Sequence, residues 1–105
     1  MKLWIDDTRP APKGYAWCKS VNEAKDTILL FELYATVDEG YKVELIDLDH
    51  DAGDYASEGG DYIRLLDWLE ETKRDYPIRI HSMNVVGVEN MRRIIRHNEW
   101  KEIDY

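Results

Sequence analysis

The sequence predicts an α/β fold: a small parallel sheet of four to five strands, with helices on both faces in three layers. Three observations predict it. Short apolar runs of strand length (2–6, 15–18, 43–48 and 78–82) alternate with segments of helical periodicity (21–36, 61–74 and 87–97). Such alternation gives parallel strands joined by right-handed crossovers. Polar residues with chemical potential follow three of the four strand segments, which is where open α/β sheets bind ligands. The chain has 105 residues, the size of one small domain, so a single domain over 1–105 is expected.

Each element has its own reason. Residues 2–6, KLWID, are an apolar run ending in acid and read as a buried strand. Pro10, Pro12 and Gly14 make the next stretch a loop before YAWC, a second short strand. Ser20 and Glu23 form a capping box, and Val21, Ala24, Ile28, Phe31 and Ala35 recur at helical spacing up to the exit at Gly40. VELIDL is the third strand, followed by the polar loop DHDAGDYASEGG. In the second helix Ile63, Leu66 and Leu69 share one side, widened by Leu65 and Trp68. Pro77 separates it from IRIHS, the fourth strand. The third helix turns Val88, Met91, Ile94 and Ile95 inward, and the tail EWKEIDY supplies a short edge strand.

Composition narrows the function. Fourteen Lys and Arg stand against 22 Asp and Glu, a net charge of -8. That excludes a general binder of long nucleic acid, which needs a basic surface, but not a small phosphate ligand held by a few local donors. One cysteine, Cys18, excludes an internal disulfide framework and a Cys-rich zinc site. MKLWIDD is too weakly apolar for a signal peptide, and no apolar run reaches membrane-spanning length. The expected setting is cytoplasmic, with no membrane partner.

The candidate site residues lie at the strand ends. Asp6, Asp7 and Arg9 follow the first strand. Asp49, His50 and Asp51 follow the third, with Asp47 just before, and His81, Ser82 and Asn84 follow the fourth. Each has a plain structural reading: a pair of aspartates can close a turn, a histidine near a core is commonly a hydrogen-bonding strut, and Ser82 and Asn84 can cap the third helix. Asp54, Glu58 and Asp61 read as a solvated loop and helix start, and Arg92, Arg93 and Arg96 as an exposed helix face. Convergence of three strand ends is the stronger signal.

The segments IDDTRPAP, DLDHDAG and HSMNVVG, in this order, resemble the cyclic-phosphate processing receiver-like family, a divergent branch of the response-regulator receiver fold. The resemblance runs from about Leu3 to about Ile95. It implies a flavodoxin-like sandwich with Asp6, Asp7, Arg9, Asn84 and the histidines around one pocket. Three positions depart from the pattern. Lys101 is the only lysine near the position of the receivers' conserved one, and in the wrong context; Asp47 stands where the family has Ser, and Val85 where it often has Pro.

The groups suit the opening of a small cyclic phosphate, such as a nucleoside 2′,3′-cyclic phosphate or an ADP-ribose-derived one. His50 and His81 are candidates for base and acid, with Asp49 or Asp51 orienting an imidazole. Arg9, Ser82 and Asn84 are candidates for holding phosphate oxygens. Asp6, Asp7 and Asp49 are candidates for a Mg²⁺ or similar divalent cation; no organic cofactor is expected. The alternatives are a non-catalytic module binding a phosphorylated small molecule or a protein, and a phosphoacceptor receiver using Asp49.

Overall fold

The computed structural model describes residues 1–104. Four strands, β1 (Lys2–Ile5), β2 (Tyr15–Cys18), β3 (Leu45–Leu48) and β4 (Ile78–Ile80), form one parallel sheet in the order β2-β1-β3-β4. Helix α1 (Val21–Ala35) joins β2 to β3, α2 (Ile63–Glu71) joins β3 to β4, and α3 (Val85–His97) follows β4. The α/β class and the parallel sheet flanked by helices are those of a receiver-like, flavodoxin-like fold. No helix is long and apolar enough to cross a membrane, among the described residues.

Strand periodicity sorts the side chains. Register pairs Leu3 with Ile46, Ile46 with Ile78, and Ile5 with Leu48, so these share one face. They form one apolar cluster with Val21, Ala24 and Ile28 of α1, Leu65, Leu66 and Leu69 of α2, and Met91 and Ile95 of α3. The alternate residues, Trp4, Asp47 and Arg79, lie in register on the other face, and continuing the alternation adds Asp6, Asp49 and His81.

The sequence reading puts helices on both faces; the buried residues of all three helices join the cluster of one face. The reason is topological. The β1–β2 crossover, with Pro10, Pro12 and Gly14, contains no helix, and the two later crossovers, together with the return from α3 to the tail beside β4, all run in one direction across the sheet. The Asp6–Gly14 loop is tied to the second face instead. Trp4 Nε1 donates to the Arg9 carbonyl at 2.8 Å and Trp17 Nε1 to the Asp6 carbonyl at 2.7 Å.

Element ends differ from the sequence reading where turn chemistry intervenes. Helix α2 starts at Ile63, because the Asp61 carboxylate turns back to accept the Ala52 amide at 2.9 Å. It stops at Glu71, with Lys73 in the left-handed region (φ 57°) and the Arg74 amide closing onto the Leu69 carbonyl. Helix α3 starts earlier than periodicity predicts, at Val85, because Asn84 is its N-cap. The tail pairs with β4 as a single parallel bridge, Ile78 with Glu102; its last residue, Tyr105, lies outside the described residues.

Candidate functional site

The sheet reverses its strand order around β1 and β3, and the candidate residues gather at the carboxyl ends of these strands and of β4. Ladder hydrogen bonds run one residue past each strand. Asp6 donates its amide to Cys18, Asp49 to Ile5 and His81 to Leu48. The backbone at these three positions is thereby as fixed as the sheet.

His81 lies flat on Trp4, with ring centroids 3.7 Å apart and planes 4° from parallel. Its Nδ1 is 2.6 Å from Asp47 Oδ1 and its Nε2 is 2.9 Å from Asp6 Oδ2. The side chain is 6% exposed and both carboxylates are buried. Both ring nitrogens are thus committed to carboxylates, and the ring has no free nitrogen to present to a ligand. This geometry corrects the expectation that His81 faces a substrate as acid or base.

Asp6 is saturated. Its Oδ1 accepts the amides of Thr8 and Arg9, each at 2.9 Å, and its Oδ2 receives Arg9 Nε at 3.0 Å besides His81. Burial alone would push the Asp6 carboxyl up; the Arg9 and Thr8 amides, His81 and the Arg9 charge outweigh it and hold it below the usual range. Arg9 continues to Asp49 Oδ2 at 3.0 Å, so one half-exposed guanidinium bridges two of the three site carboxylates. Asp6, Asp7 and Asp49 can bring ligand oxygens within 4.8 Å of one another.

His50 has a different environment. Its Nδ1 is 2.8 Å from Asp51 Oδ1, and the ring is 15% exposed. The His50 hydrogen bond, with help from Asn84, holds Asp51 below the usual carboxylate range against a modest burial effect. Asn84 Nδ2 donates to both Asp51 oxygens at 3.3 and 3.4 Å, while its Oδ1 accepts the Gly87 amide at 2.9 Å. Asn84 therefore caps α3 and steadies the His50–Asp51 pair with one amide. Ser82 Oγ accepts the Asn84 amide at 3.1 Å.

The structure thus gathers Asp47, His81, Asp6, Arg9 and Asp49 into one hydrogen-bonded chain. His50, Asp51 and Asn84 form a second group, joined to the first where the His50 amide donates to Asp49 Oδ1 at 2.7 Å. Asp7 stands beside the loop at Gly53, where an added Cβ would lie 2.4 Å from its Oδ2. Sequence reading missed Trp4, Asp61 and Gly87. The Trp4–His81 stack was recoverable from strand parity; the packing of Gly87 on His50 had no signal in a single sequence. Arg92 and Arg96 pair with Glu102 and Glu89 rather than with the site.

No curated protein and no solved structure gives a significant match to this chain. The model of the cyclic-phosphate processing receiver domain matches residues 1–97. With its sheet order and its strand-end cluster, the chain belongs to the cyclic-phosphate processing receiver domain family.

Proposed function

We propose that the protein hydrolyses a small cyclic phosphate, with His50 as the proton-transferring group. The observation that carries this reading is the His50–Asp51 pair, steadied by Asn84, at the carboxyl ends of the strands. A carboxylate on Nδ1 fixes the tautomer with hydrogen there and leaves the Nε2 lone pair as base. Water loses a proton to Nε2 as its oxygen bonds to phosphorus. The bond from phosphorus to one ring oxygen breaks, and that oxygen takes up a proton returned through solvent. The product is a phosphomonoester. Arg9, Ser82 and Asn84 are the proposed holders of the phosphoryl oxygens, and His81 is a positioning residue acting through Asp6.

A hard divalent cation such as Mg²⁺ suits the all-oxygen donors of Asp6, Asp7 and Asp49, and when bound it would neutralise phosphate charge. Arg9 already serves Asp6 and Asp49 as counter-ion, so cation binding there requires the guanidinium to move away. That clamp also favours a second reading, a module that binds a phosphorylated small molecule without turnover.

The test offers the purified protein nucleoside 2′,3′-cyclic phosphates and ADP-ribose-derived cyclic phosphates, with and without Mg²⁺, followed by chromatography. Turnover is expected, falling about 10²–10⁴-fold in His50→Gln. Turnover indifferent to His50→Gln, or none on any compound, overturns it; calorimetric binding without product supports the second reading.

A further inference from the structure

We infer that Gly87 is a positioning residue for His50, setting the imidazole through the absence of a side chain; the role in turnover rests on the function proposed above. Gly87 is buried in the first turn of α3. Its φ lies outside the left-handed region, so backbone conformation does not require glycine there. Helix propensity argues against glycine at such a position. The reason lies across the site. A Cβ at 87 would stand 2.5 Å from both Cγ and Cδ2 of His50 and 2.9 Å from its Nδ1. The neighbour is a ring already held by Asp51, not the loose end of a flexible chain.

Gly87 acts through a second handle as well. Its amide donates to Asn84 Oδ1, which settles which way the Asn84 amide faces and so aims Nδ2 at Asp51. The start of α3 therefore sets the ring by contact and its carboxylate partner by hydrogen bonding. Gly87→Ala keeps the amide and removes only the space, so it isolates the contact.

A double-mutant cycle tests this without any substrate. Gly87→Ala is expected to lower the urea midpoint when His50 is present, and to leave it unchanged or raise it in a His50→Ala background, where the ring is gone. Aromatic NMR spectra of the folded Gly87→Ala protein should show displaced His50 ring resonances, with those of His97 unmoved. If Gly87→Ala does not fold, the Gly87→Ala/His50→Ala protein should regain folding. Additive midpoints with unchanged His50 ring resonances overturn the inference, as does a double variant no better folded than Gly87→Ala. Activity that survives His50→Gln would overturn the proposed function while leaving the cycle intact.

Discussion

At His81 one ring meets three demands: stacking on Trp4, and a hydrogen bond to each of two buried carboxylates. Removing it leaves Asp6 and Asp47 facing each other's charge with less compensation. Taking away the shared partner of two buried carboxylates costs about 1–3 kcal/mol for each polar group left unsatisfied. His81→Ala should therefore lower unfolding free energy by about that much in urea titration, and a loss under about 1 kcal/mol would mean the clamp contributes little. Arg9 carries a prediction of opposite sign. Because its guanidinium bonds Asp6 and Asp49, Arg9→Ala should tighten Mg²⁺ binding, about tenfold or more if one competing charge is removed. Calorimetry with Mg²⁺ checks this, and unchanged or weaker binding refutes competition. The sequence made Asp6, Asp49 and Arg9 visible as neighbours of strand ends. It could not show that Arg9 spends its donors on those acids, because that depends on the path of the loop between Asp6 and Gly14.

At the scale of elements, the helices were legible from periodicity and their ends were not. Helix α2 runs to 74 on apolar spacing alone, but a lysine in the left-handed region stops it where sequence rules look for glycine. Glu99, at φ 58°, does the same after α3. Asn84 shows an end that was readable in type but not in place. Replacing it with Ala should cost about 1 kcal/mol through the lost cap, and should also release Asp51 from the amide. Thermal unfolding gives the first effect and the NMR shifts of the Asp51 carboxylate and the His50 ring the second. Helix α1 is tied to the segment between α2 and β4 through Glu32, which takes both a bidentate Arg74 contact (2.9 and 2.8 Å) and the Tyr76 hydroxyl, while Arg74 lies 4.6 Å over the Trp68 ring of α2. The Arg74 bonds hold Glu32 below its ordinary range, outweighing burial. Its stabilisation is complete above the unfolded value of 4.5 and is lost as pH falls through the folded one. Both side chains are partly exposed, so Glu32→Gln should cost about 1 kcal/mol at pH 7, and the gap from the parent should close on acidification.

For the whole molecule, alternation of strands and helices was enough to give the parallel sheet. The missing helix between β1 and β2 was equally legible from Pro10, Pro12 and Gly14; its effect on the second face emerges only from the direction of the other crossovers. Acid response is a property of this scale. Asp6, Glu32 and Asp51 are all held below their ordinary values, so stability should decline as pH drops below about 4, where each binds a proton more readily in the unfolded chain than in the folded one. Urea midpoints between pH 7 and pH 3 measure this, and a flat profile would contradict it. The same stretch of backbone that hangs the outermost strand on the sheet also presents Asp6, Asp7 and Arg9. Ligand binding at those three residues would therefore be thermodynamically linked to docking of Tyr15–Cys18: a compound that settles on them should slow amide exchange along that strand, well away from any atom it touches.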